Sequence, residues 1–274
     1  TAVVFEGKSW TYRELDLQSD KVATFLTKYQ VKGRQVGTAM TRGQEWIVAL
    51  LGIWKAGATY IPLDLAHPHE RLESILSDCE ISFVICSHES RFKPYNIPTC
   101  YIDEISVYGE ESRKLPLPEE NDKAYIIYTS GTSGEPKGIP TNHRQAVRMS
   151  RISKDKYFYV NAGDRMLQLA GLNFSASMVE TLTALLNGVC LVMAGDKERH
   201  SPKLLVELIE HEHVVSAIIP PALLAVFPKV PLAGLKTLLV AGEGVAPDVK
   251  NYWMRGRRMV NAYGFTENSV LVMS

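Results

Sequence analysis

The sequence comprises 274 residues, 46% hydrophobic and 22% charged, with 30 basic residues set against 30 acidic ones, which excludes a disordered, collagenous or disulfide-scaffold chain. A chain of this size buries roughly 75% of the surface its unfolded form exposes, core enough to need no metal or disulfide staple. Nucleic acid is excluded as the main partner because phosphate neutralisation needs a basic excess, and no stretch reaches the roughly eighteen apolar residues of a membrane span.

Leu15, Val22, Phe25, Leu26 and Tyr29 recur at helical spacing and predict a helix within 11–30. A strand over 36–40 follows, then an almost wholly apolar helix over 45–55, extended chain at 60–62, a helix presenting Leu72, Ile75, Leu76 and Cys79 on one face, and a strand over 82–86. Residues 93–122 break this rhythm with Pro94, Pro98, Pro116 and Pro118 and a charged run, Glu110 to Lys114, and read as a connector to a second sheet. The alternation resumes with strands over 124–128, 189–193, 214–219 and 235–240 and helices over 177–186, 202–210 and 221–226. Helices alternating with short β-branched runs predict an α/β fold: two βα subdomains, 1–120 and 121–274, with mostly parallel sheets packed by helices.

Cys79, Cys86, Cys100 and Cys190 form no C-x-x-C pair and lie at no zinc-ligand spacing from a histidine, which predicts small, buried, reduced thiols in a cytoplasmic protein. His211-Glu212-His213 lacks the four-residue separation of a metalloprotease helix and reads as an exposed helix end. The residues Thr1-Ala2-Val3-Val4-Phe5 carry neither a basic region nor a cleavage site for export. A start without methionine and an end at Leu271-Val272-Met273-Ser274 with no terminal cap lead us to expect a piece excised from a longer protein.

The most informative segment is Tyr128-Thr129-Ser130-Gly131-Thr132-Ser133-Gly134-Glu135-Pro136-Lys137-Gly138, directly after an apolar strand. Glycines let backbone N–H groups approach an anion, hydroxyls donate further hydrogen bonds, and lysine adds a point charge, so the run suits phosphate. It is not a Walker A loop, because Pro136 precedes Lys137 and Gly138 follows it.

This run resembles the phosphate-binding signature of the adenylate-forming superfamily, which holds acyl-CoA synthetases, luciferases and the adenylation domains of nonribosomal peptide synthetases. Trp10 to Leu15, Trp54 to Asp64, Asn173 to Glu180 and Asn261 to Glu267 are similar in order and spacing to peptide synthetase adenylation domains, across nearly the whole chain. The resemblance implies the N-terminal core of such a domain, a ligase in which a small carboxylic acid attacks the α-phosphorus of ATP to give an acyl-adenylate and pyrophosphate. It further implies Mg²⁺, and transfer of the acyl group to phosphopantetheine on a carrier protein, with no nucleic acid or membrane partner. By similarity, Thr129, Ser130, Gly131, Thr132, Ser133, Gly134 and Lys137 would hold the β- and γ-phosphates. Asn261 and the Gly242-Glu243-Gly244 turn would line the base, Tyr263 would stack on adenine, Thr266 would meet the α-phosphate, Glu267 would ligate Mg²⁺, and Ala262 and Gly264 would belong to the same nucleotide site.

The same resemblance implies an acid pocket of Phe174, Ser175, Ala176, Val179, Ile218, Leu239, Ala241, Ala262, Val270 and Leu271, nearly all apolar. Domains that select α-amino acids usually carry an aspartate where this chain has Ser175. Desolvating an unpaired α-ammonium would lose several kcal/mol, so a keto, hydroxy, aryl or β-amino acid is favoured over an ordinary hydrophobic α-amino acid. Phe265, where proline is usual, is a second departure. The family's ribose-binding aspartate, hinge and catalytic lysine belong to a C-terminal domain beyond Ser274, which would leave this piece poorly active by itself. A standalone ligase acting on CoA and a scaffold that has lost the reaction are the competing readings. Trp46, Ile47, Leu50, Leu51 and Trp54 read as a buried stripe, His143 as a structural residue at a helix start, and Arg144 and Arg148 as that helix's exposed face.

Overall fold

The computed structural model describes residues 1–65, 67–88, 96–107, 115, 117–130 and 136–262. The chain forms two compact units, Thr11–Ala146 and Thr1–Trp10 with Val147–Ser274. In chain order it opens with strands β1 (Val3–Phe5) and β2 (Lys8–Trp10). Helix α1 (Tyr12–Thr27) begins at a capping box: Thr11 N–H donates to Glu14 Oε2 at 2.6 Å while Glu14 N–H donates to Thr11 Oγ1 at 3.2 Å. Then come β3 (Gln35–Ala39), α2 (Gln44–Lys55), β4 (Thr59–Pro62), α3 (His69–Asp78) and β5 (Phe83–Cys86). Next are β6 (Thr99–Tyr101), α4 (Ile102–Val107), β7 (Lys123–Ser130), β8 (Pro136–Asn142) and α5 (His143–Ile152).

In the unit Thr11–Ala146 these strands make one six-stranded sheet in the order β6-β5-β3-β4-β7-β8, parallel except for the antiparallel pair β7–β8. Trp46 and Ile47 on α2 are buried, and Trp46 Nε1–H donates to Tyr60 Oη at 2.8 Å. Burial pushes the Tyr60 phenol up to about 12 against the opposing hydrogen bonds of Thr38 and Trp46. Lys55 packs by charge, its Nζ 2.5 Å from Asp16 Oδ1 and 2.6 Å from Asp20 Oδ1 of α1. The sheet corrects two expectations. Residues 93–122 do not lead to a second sheet, because β6 within them pairs with β5 and β7 after them pairs with β4 through Tyr60 and Tyr125. The division consequently falls at Trp10/Thr11 and Ala146/Val147 rather than near 120.

The other unit continues with a π-helical turn (Ser153–Phe158), β9 (Arg165–Gln168), α6 (Ser175–Leu185), β10 (Cys190–Met193), α7 (Asp196–Arg199) and α8 (Pro202–His211). It ends in β11 (Ser216–Ile218), α9 (Pro221–Ala225), β12 (Thr237–Ala241), α10 (Pro247–Trp253) and β13 (Arg258–Ala262). Its seven strands run β13-β12-β11-β9-β10-β1-β2, parallel except for β1–β2. Val192, Leu205, Ala217, Leu238 and Val240, all buried, belong to one core cluster. All four cysteines are free and buried; burial raises their thiols, Cys79 and Cys86 to about 11 and Cys100 to about 12. Among the described residues no helix is long and apolar enough to cross a membrane.

Candidate functional site

Parallel strands present their carboxyl ends on one edge of a sheet, where open α/β folds bind ligands. In the unit containing β9 to β13, that edge holds a cavity of ≈ 680 Å³. Its walls come from the strand ends and the residues just beyond them: Leu169, Ala170 and Gly171 after β9, Ile218 and Pro220 at the end of β11, and Ala241, Gly242 and Glu243 at the end of β12. Phe174, Ser175 and Ala176 contribute the start of α6, Arg199 the end of α7, and Leu223 a turn of α9.

The wall between β9 and α6 is held from within. Glu180 lies wholly buried on α6, and its Oε2 accepts from Gln168 Nε2 at 3.0 Å, Leu169 N–H at 3.2 Å and Ala170 N–H at 3.1 Å. A buried carboxylate is tolerable only with such donors. Ser177 Oγ donates to the carbonyls of Leu172 at 3.1 Å and Phe174 at 2.7 Å, closing the same loop onto the helix. On the opposite wall, Ala222 N–H at the start of α9 donates to Glu243 Oε1 at 2.8 Å. Gly242 has φ of 95°, a conformation that favours glycine.

Of the acid-pocket residues named from the sequence, Phe174, Ser175, Ala176, Ile218 and Ala241 meet at this cavity. Val179 and Leu239 are wholly buried in their elements, and Ala262 is buried beside Ala241 on the neighbouring strand. Asn261 pairs with Val240, and Gly242 and Glu243 share the cavity wall. Gly244 follows them outside the lining. Tyr263, Gly264, Phe265, Thr266, Glu267, Val270 and Leu271 lie outside the described residues. Beside these, Glu180, Arg199 and Glu243, which the sequence reading did not place in the pocket, also belong to its walls. Glu180 carried a sequence signal, being the sole charged residue between Ser175 and Leu185.

In the other unit the phosphate-type signature spans a hairpin. Thr129 in β7 pairs with Lys137 in β8, and Thr129 Oγ1 donates to Lys137 O at 3.5 Å. Cross-strand partners share a face, so the Thr129 hydroxyl and the exposed Lys137 side chain project together. Ser130 ends β7, and Gly131, Thr132, Ser133 and Gly134 lie outside the described residues. His143 opens α5 with its ring edge against Trp54, centroids 5.6 Å apart, and burial lowers its pKa. Arg144 pairs with Glu120 at 2.8 Å on the exposed face. Among the described residues no group of three or more His, Cys, Asp or Glu side chains could hold a metal ion.

The family model described as AMP-binding enzyme matches residues 1–274. The chain belongs to that family. It is 33% identical over 277 residues to bacitracin synthase 3 of Bacillus licheniformis, a match that covers 98% of this chain and 4% of the synthase. The AMPPNP-bound structure of the nonribosomal peptide synthetase FmoA3 superposes with a TM-score of 0.86 at 29% identity, covering 97% of this chain and 30% of that one. The N-terminal subdomain of Klebsiella oxytoca NpsA in complex with 3-hydroxybenzoyl-AMSN gives 0.85 at 26% identity, covering 98% and 70%. NpsA in an artificial adenylation–PCP fusion gives 0.86 at 26% identity, covering 98% and 55%. The chain therefore spans a small fraction of the curated synthetase that it matches.

Proposed function

We propose that this chain activates a carboxylic acid as its acyl-adenylate, with ATP as co-substrate and pyrophosphate released, for loading onto the phosphopantetheine of a carrier protein in nonribosomal peptide synthesis. Bacitracin synthase 3, the FmoA3 complex and the adenylation–PCP fusion support this reading, as does a cavity at the strand ends of an AMP-binding enzyme. Little covalent work falls to the protein: the carboxylate must be held in line with the α-phosphorus and the phosphate charge stabilised. Thr129, Ser130, Gly131, Thr132, Ser133, Gly134 and Lys137 would bind the β- and γ-phosphates, and Asn261, Tyr263 and the Gly242-Glu243-Gly244 turn the base. Thr266 would hold the α-phosphate, and Glu267 would supply a carboxylate oxygen to Mg²⁺. The free, buried cysteines fit a cytoplasmic setting.

Ser175 carries the substrate reading. It lines the cavity without a carboxylate, so an α-ammonium would lose hydration there with no counter-charge at that position. The cavity therefore suits a keto, hydroxy, aryl or β-amino acid, and NpsA supplies a precedent in its aroyl ligand. Glu180 favours one second reading: it too is a residue of the cavity wall, and its carboxylate would be the counter-charge for an ordinary hydrophobic α-amino acid.

Calorimetric titration with two acyl-sulfamoyl-adenosines, one carrying leucine and the other its desamino keto counterpart, separates them. Tighter binding of the keto form by about tenfold, 1.4 kcal/mol, is the expected outcome. A preference for the leucine form that disappears in Glu180→Gln would replace it with the second reading.

A further inference from the structure

We infer that Asp78 and Cys79, at the end of α3, are positioning residues that act through Tyr128 to fix the strand carrying Lys137. The inference rests on the reading of Lys137 and Thr129 as phosphate ligands. Tyr128 directly precedes Thr129, and Gly138 directly follows Lys137. Tyr128 pairs with Gly138, and Thr129 pairs with Lys137. Side chains alternate between faces along a strand, so the Tyr128 ring covers the back of the hairpin while Thr129 and Lys137 project from its front.

Three contacts hold that ring. Its hydroxyl donates to Asp78 Oδ2, and Cys79 Sγ lies 2.9 Å from Tyr128 Oη. The ring also reaches over Gly138 of β8: a Cβ built there would stand 3.0 Å from Tyr128 Cζ and 3.1 Å from Oη. Gly138 thus lets the phenol cross its own partner strand and reach α3. Cys79 and Tyr128 belong to one packed cluster with Ile75, Leu76 and Ile126.

Helix stability does not account for Asp78. It is the last residue of α3, whose final turn has no basic side chain, and the helix dipole disfavours a carboxylate there. Burial, and then hydrogen bonding to Asp78, raise the Tyr128 pKa above the ordinary range of the phenol, which keeps the donor proton in place at working pH. Binding geometry good to about 0.5 Å depends on such supporting contacts, and Asp78 and Cys79 supply two of them from the end of α3.

The test compares AMPPNP with AMP, which lacks the β- and γ-phosphates, by calorimetry on the whole chain. Tyr128→Phe and Asp78→Ala are expected to weaken AMPPNP about tenfold while leaving AMP unchanged, and Asp78→Asn, which keeps an acceptor oxygen, to recover most of the loss. Amide hydrogen exchange at Thr129 and Lys137 in the free protein should quicken in Tyr128→Phe. Unchanged AMPPNP affinity with unchanged exchange, or equal weakening of both nucleotides, overturns the inference. Failure of the unmutated chain to bind either nucleotide overturns the phosphate-site reading itself.

Discussion

Gly52 sits where α2 crosses α1, and the site shows how close contact overrides propensity. A Cβ added there would stand 2.5 Å from both Cβ and Cγ1 of Val22 and 3.1 Å from the Ser19 carbonyl oxygen. Alanine in a helix interior is worth about 1 kcal/mol over glycine, whereas overpacking a tight core costs about 1–3 kcal/mol. Both clashing groups are short and stiff, so the overpacking should win and Gly52→Ala should lower stability by about 1–2 kcal/mol. A urea midpoint that falls at unchanged slope would bear this out; a raised midpoint would show that the helices can part without loss. Arg199 marks the limit of legibility at this scale. It reaches the cavity from a four-residue helix, too short for any periodicity to place it. Ser175 and Ala176, by contrast, were legible from the motif that holds them.

At the scale of single elements, α1 is the best specified. Its apolar spacing predicted a helix within 11–30, and Thr11 and Glu14 sharpen its start by satisfying each other's backbone N–H groups. The Thr11 backbone N–H, then its hydroxyl, lower the Glu14 pKa. A carboxyl depressed in the folded state stabilises above its unfolded pKa of about 4.3, and that contribution is lost as pH falls through the lower folded value. Glu14→Gln should therefore unfold at lower urea than the parent protein at pH 7, with the gap narrowing as pH falls below about 4.3; a gap that does not change with pH would rule out a charge-based cap. Strand β8 is the counter-example. Pro136 and Pro140 and a lack of successive β-branched residues hide it in sequence. As an edge strand paired, among the described residues, only with β7, β8 can carry prolines that a central strand could not. Its hairpin with β7 turns what reads as a glycine-rich loop into two paired strands around residues 131–135.

For the whole molecule, chain continuity was the misleading guide. Sequence order assigns residues 1–10 to the first subdomain, yet β1 pairs with β10, Val3 opposite Leu191 and Val4 opposite Val192, in the sheet whose strands other than β1 and β2 come after residue 147. Three-residue strands carry too little pattern to reveal such a partner. The energetic weight of this segment is nonetheless large, since Ala2 and Val3 are wholly buried and Val4 nearly so. Burying each valine is worth roughly 1.5–2 kcal/mol, and deleting residues 1–10 also strips the ladder from one side of β10. A loss of about 3–4 kcal/mol from the valines alone is a large part of the 5–15 kcal/mol that holds a typical domain folded. Because the Thr11–Ala146 unit has its own sheet and its own core, the loss should stay in one unit. Removing residues 1–10 should sharply reduce amide protection in β9, β10 and β11 while α1, β3 and β4 retain theirs. Equal loss in both units would mean that they fold as one cooperative body, and unchanged protection in β10 would mean that its edge needs no partner.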